Sequence, residues 1–175
     1  MLFHNDRTGG FSNGTAAAGS GFSVPHLGRG AAFADFNNNG RMDIVVGNND
    51  DPPALLTNSG GPNHFVSIKL IGSRSNRDAI GARVRVRSNG VTQLREIQGG
   101  GSYLSQSDLR AHFGLGAFPR IDFIEVGWPG SAHQRFQNVK ADQFYTLEEG
   151  TGSLHLDSFQ KSAGKRRAFR AQAIC

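Results

Sequence analysis

Four oxygen-bearing side chains crowd one short stretch, "DFNNNGRMD" from Asp35 to Asp43, between two apolar runs. Asp35, Asn37 and Asn39 occupy its first, third and fifth positions, and Asp43 its ninth. In a tight loop, alternate side chains can converge on one point, and a hard cation such as Ca²⁺ takes six to eight oxygens. Gly40 stands where such a loop must turn sharply, and Arg41, at the seventh position, can add only its backbone carbonyl. The spacing therefore predicts a metal site of Asp35, Asn37, Asn39, Arg41 and Asp43, with Ca²⁺ favoured over Mg²⁺, which keeps more of its water. It is no EF-hand, because the twelfth position is Val46 in an apolar run rather than a glutamate. The competing reading is a plain turn, since Asp, Asn and Gly dominate turns through their own hydrogen bonding.

Other chemistry is poorly supported. Asp108 and His112 are four apart, but "SDLRAHFGLG" offers no second histidine at metal spacing. Ser105 and Ser107 lie near His112 in sequence, yet no G-x-S-x-G elbow surrounds them. The glycines at 99–101 precede no helix and no phosphate-binding lysine. The expectation is a protein without an active site. An alternative is a carbohydrate-binding or carbohydrate-active protein, with Tyr103, His112 and Trp128 near a sugar surface.

The elements that must position these residues read as strands. Twenty-four glycines are spread over 175 residues, and no segment shows the apolar spacing of an amphipathic helix. "AAFADF" and "MDIVVGN" flank the oxygen-rich loop as strands, and "NNDDPP" ends the second. "FVSIKLIG" sets Val66, Ile68 and Leu70 on a different face from Ser67 and Lys69. "ARVRVRSNGVTQLREI" reads as a hairpin about Asn89-Gly90. A two-residue turn pairs Arg83 with Glu96, whereas a three-residue turn pairs Val84 with Leu94 and gives the better apolar face. Further strands are expected at 121–129, 135–139 and 144–149, so the class is all-β.

"LFHNDRTGGF" from Leu2 recurs in outline as "LLTNSGGPNHF" from Leu55, a period near that of a propeller blade. The excess of Lys and Arg, a formal +5, gathers in "KSAGKRRAFRAQAIC". Without interleaved aromatics that run reads as a solvated tail and speaks against nucleic acid as a partner. The lone cysteine, Cys175, permits no intrachain disulfide. No apolar run nears the ~20 residues of a membrane helix, and the opening "MLFHNDRTGG" lacks a signal-peptide core.

"GRGAAFADFNNNGRMDIVVGNND", following "LFHNDRTGGF", resembles the FG-GAP/VCBS repeat of integrin-like β-propellers. The segments "NRDAIGARVRV", "REIQGGGSYLSQSD", "HFGLG", "IDFIEVGWPG" and "FQNVKADQFYTLEEG" resemble the ASPIC/UnbV domain that follows such repeats. The resemblance implies calcium in an Asp-x-Asp-x-Asp-Gly-x-x-Asp loop, with Asn37 and Asn39 here replacing acids. It implies partial β-propeller blade(s) followed by a small antiparallel β-sandwich or barrel-like domain. The expected division is 1–63 for the blade remnant, 64–150 for the ASPIC/UnbV-like domain and 151–175 for a basic, disordered tail. It further implies an extracellular or periplasmic binding or adhesion module whose ligand is a protein or a glycan. Relatives carry several blades, so a truncated product that self-associates through open sheet edges is expected.

Overall fold

The computed structural model describes residues 1–157 apart from Arg7 and Ser131. It is 48% strand and 5% helix, an all-β protein without a closed barrel. Its contacts divide the chain into two units: residues 1–34, 42–58 and 100–107 form one, and 35–41, 59–99 and 108 onward the other.

In the first unit, β1 (Phe3–Asn5) and β2 (Phe11–Asn13) make a short antiparallel ladder. Asp6 closes its turn by accepting the N–H groups of Thr8 and Gly10 at 2.8 and 2.9 Å. Two 3₁₀ turns, Thr15–Ala18 and Ser20–Phe22, follow in the Gly/Ala/Ser-rich connection. Then β3 (Gly28–Ala34), β4 (Asp43–Asn48) and β5 (Ala54–Leu56) form a three-stranded antiparallel meander in which Ala34 faces Asp43. Ser102 and Ser107 lie along β3, their hydroxyl oxygens accepting the N–H groups of Ala31 and Phe33 at 3.1 and 3.2 Å. The two recurring sequence stretches differ in use. The first is the β1–β2 hairpin, while the second leaves β5 and opens a strand that pairs elsewhere.

The second unit holds the core. Its strands are β6 (His64–Ile71), β7 (Arg83–Ser88), β8 (Val91–Glu96), β9 (Ala111–Gly116), β10 (Arg120–Gly127), β11 (His133–Lys140), β12 (Gln143–Glu148) and β13 (His155–Leu156). They form two four-stranded sheets, β11-β10-β7-β8 and β13-β12-β6-β9. Alternation builds the space between them. Val84, Val86, Ile124 and Val126 of one sheet join Val66, Ile68, Phe113 and Leu147 of the other in a single core, each fully buried. Not every pairing is antiparallel, since β6 and β12 run parallel from Gln143 opposite Val66 onward.

The hairpin register resolves to the two-residue turn. Arg83 faces Glu96 and Arg87 faces Thr92, with Asn89 and Gly90 at φ 47° and 78°. Both values are those of a type I′ turn, whose twist matches that of the strands it joins. The better apolar face of the other register is not needed, because β7 buries its valines against β10 while Leu94 stays 55% exposed. Of the expected tail, residues 155–156 belong to the fold as β13, paired with β12. The basic run from Lys161 to Arg170 lies outside the described residues.

Candidate metal centre

The residues of the oxygen-rich loop fall in both units. Asp35, Asn37, Asn39 and Arg41 belong to the second, and Asp43, the first residue of β4, to the first. Asp35 is 4% exposed. Its Oδ1 accepts the Asn39 N–H at 2.9 Å and its Oδ2 the Gly40 N–H at 2.7 Å. Asn39 Oδ1 accepts the Arg41 N–H at 2.9 Å. These bonds curl the chain back on the first carboxylate, which is the Asx geometry such residues favour. Asn37 is exposed. Asp43 is 1% exposed and accepts the Asn58 N–H on Oδ1 at 2.8 Å.

The loop is braced against the outer face of the β13-β12-β6-β9 sheet. Gly40 has φ 84°, and a Cβ there would lie 2.1 Å from Cε1 of Phe65, so the position accepts only glycine. Arg110, just before β9, donates to Asn38 Oδ1 at 2.8 Å and to the Asp35 carbonyl at 3.3 Å. Asp108 holds the same guanidinium by accepting from its Nε at 2.6 Å. Asn38 is itself left-handed, at φ 52°. Beneath the loop Phe65 packs between Phe144 and His112, with ring centroids 5.3 and 5.8 Å away. Burial pushes the His112 imidazole below its usual pKa, so the ring is neutral near pH 7, and its Nδ1 has no hydrogen-bond partner among the described residues.

Sequence reasoning passed over these supports. Phe65, Phe144 and Arg110 lie far from the loop in the chain, and only their spacing on β6, β12 and the start of β9 places them on one sheet face. Chemically, the loop offers hard oxygen donors and no soft ones. Among the described residues no three of His, Cys, Asp and Glu gather as a metal cluster. The donor set therefore fits a cation only if the amide oxygens of Asn37 and Asn39 serve beside the carboxylates. That is chemistry Ca²⁺ accepts, since a carboxylate or amide oxygen that takes one N–H keeps a second lone pair.

The residues considered for catalysis are placed otherwise. The Ser107 hydroxyl oxygen accepts the Phe33 N–H of β3 at 3.2 Å, and the Ser105 hydroxyl donates to the Tyr103 carbonyl at 2.8 Å. Trp128 is 4% exposed and its indole donates to Gln134 at 2.6 Å, so it presents no open face for a sugar to stack on.

Cartilage acidic protein 1 of Homo sapiens is 51% identical over 56 residues, which is 31% of this chain and 8% of that protein. Its Mus musculus counterpart is 49% identical over 56 residues with the same coverage. The chain thus matches a small part of these relatives' length. Residues 72–154 match the family described as ASPIC and UnbV, and they run from the end of β6 to the connection before β13. This stretch is an ASPIC/UnbV domain.

Proposed function

We propose that the chain is a non-enzymatic binding or adhesion module of the extracellular or periplasmic kind, stabilised by calcium. Asp35, Asn37, Asn39, the Arg41 carbonyl and Asp43 would hold the ion. The β3–β5 meander is read as part of an FG-GAP/VCBS-like blade preceding the ASPIC/UnbV domain. One observation carries the reading: the carboxylates at both ends of the loop are buried, at 4% and 1% exposure. Asp35 makes no ion pair with any described residue, and among the described residues of the first unit Asp43 is the only buried one. A buried charge needs compensation, and a divalent cation would add to what the backbone N–H groups already supply. The ion's role is structural, fixing the β3–β4 connection so that surrounding surface stays in shape.

The test is thermal melting with and without calcium. At a hundred times Kd the ion adds about 2.7 kcal/mol to the folded state, a rise of several degrees in Tm. Asp35→Ala should abolish the rise. A wild-type melting curve indifferent to calcium sinks the proposal. The glycan reading is disfavoured by the burial of Trp128.

A further inference from the structure

Residues 1–157 are electrically balanced. Of nineteen Lys and Arg, five follow residue 157, where no Asp or Glu occurs, which leaves fourteen of each sign in the body. Within that balance the positive charge is concentrated. On the outer face of the β11-β10-β7-β8 sheet, β7 presents Arg83, Arg85 and Arg87, its intervening valines being fully buried. In register with Arg85 through β10 stands Arg135 of β11, and at the far end Arg120 faces Lys140. The carboxylates on these strands do not match them in number. Glu96 pairs with Arg83 at 3.2 Å, and Glu125 is shared between Arg85 at 3.0 Å and Arg135 at 4.0 Å. Asp122 is exposed on β10, and Arg87 makes no ion pair with any described residue.

At the Arg83 end the face opens into a pocket of about 310 Å³ lined by Arg83, Arg85, Glu125, Trp128, His133 and two glycines. Gly127 matters to its shape, since a Cβ there would come within 3.1 Å of the His133 ring. A small oxyanion entering the pocket meets two guanidiniums beside the Glu125 carboxylate, which is paired with Arg85.

We propose that this face binds an acidic protein segment in extended conformation. The argument is one of period and charge. Alternate residues of a strand repeat every ~6.6 Å, so the three β7 arginines form a row that an extended peptide with every second residue acidic matches step for step. Stacked bases find no platform there, because Phe123 is covered by the Arg135 guanidinium at 4.0 Å and Trp128 is buried. The proposal rests on the binding-module reading but is independent of the cation.

The experiment uses the full chain and a fluorescent peptide alternating glutamate and serine, followed by anisotropy at low and high salt. Binding should weaken with salt, and a peptide of the same composition with its glutamates in one block should bind less well. Arg83→Gln/Arg85→Gln/Arg87→Gln should weaken binding about tenfold, three exposed charges each contributing a fraction of a kcal/mol. Arg87→Gln alone should weaken it about twofold and leaves both ion pairs of its neighbours intact. Lys165→Gln/Arg166→Gln/Arg167→Gln should leave binding as it was. Affinity should be the same with calcium and with EDTA, which separates this surface from the loop, whose own test is the melting curve. The proposal is overturned if the triple β7 variant, folded by circular dichroism, binds like wild type. It is equally overturned if heparin or a single-stranded oligonucleotide displaces the peptide at lower charge concentration than unlabelled peptide does, or if no binding occurs.

Discussion

The two units of this chain bury opposite things. The second encloses Val66, Ile68, Val84, Phe113, Ile124 and Leu147 between two sheets. The first buries no apolar side chain among its described residues. Its one buried residue is Asp43, while Phe3, Phe11, Phe33 and Leu55 are exposed. A β-meander with apolar residues outside and a carboxylate inside draws little stability from the hydrophobic effect. What orders it is polar: backbone ladders, the serine hydroxyls along β3, and the aspartate turns. The difference teaches that one unit is held by area removed from water and the other by hydrogen bonding, and the two should respond to different insults.

The largest effect should come from the core. Phe113 is fully buried between the sheets, and Phe113→Ala should cost about 3–5 kcal/mol in a urea titration, enough to unfold the second unit in part at room temperature. Phe33, on β3, is 45% exposed, and Phe33→Ala should cost less than about 1 kcal/mol. Equal costs for the two would dissolve the contrast.

How far this contrast was visible in the sequence depends on the range of the interactions that make it. Local signals were read correctly: alternation in β6 and β7, the prolines after β4, and Asn89-Gly90 as the hairpin turn. The alternation of Ala111, Phe113 and Leu115 was also present, but with glycines at 114 and 116 the strand β9 was not among those expected. Long-range pairing was not legible. Nothing near Ser67 announces that it faces Phe144 across a parallel ladder and His112 across an antiparallel one, which is why its burial at 2% exposure contradicts its polar character. In the candidate site the donor types and spacing were plain from Asp35 to Asp43. The support from Gly40 on Phe65 and from Arg110 needed the fold, because periodicity records which face a residue takes and not what lies across from it.

A second prediction concerns acid. Each unit contains a carboxylate that gathers backbone N–H groups, Asp6 in the first and Glu149 in the second. Glu149 Oε2 accepts from the N–H groups of Ser73, Arg74 and Ser75 and from the Ser75 hydroxyl, at 2.8–3.0 Å. The Ser75 N–H contributes most to holding its pKa at about 2 against an ordinary 4.5. Because the folded value lies below the unfolded one, this stabilisation is complete above pH 4.5 and is lost as pH falls through about 2. Glu149→Gln should lower Tm at neutral pH and flatten the acid limb of the Tm profile. Asp6 is lowered in the same direction, chiefly by the Thr8 N–H, but it is exposed to water. Asp6→Asn should leave that limb almost unchanged. An acid limb untouched by Glu149→Gln would show that the loop at 73–75 does not depend on the carboxylate.

The smallest effect isolates backbone geometry from burial. Gly90 has φ 78°, and a Cβ built there meets nothing within 4 Å, so Gly90→Ala removes no contact and creates no clash. Its cost is conformational alone, about 1 kcal/mol for an L-residue in the left-handed region. The turn joins the central strand β7 to β8, whose Leu94 and Val91 stay exposed. The penalty should therefore appear as faster amide exchange in 91–96 while β6 and β10 stay protected. Were Gly90→Ala to cost nothing, the turn would have to tolerate a right-handed residue. The three-residue register, with Val84 opposite Leu94, would then be the better account of this edge.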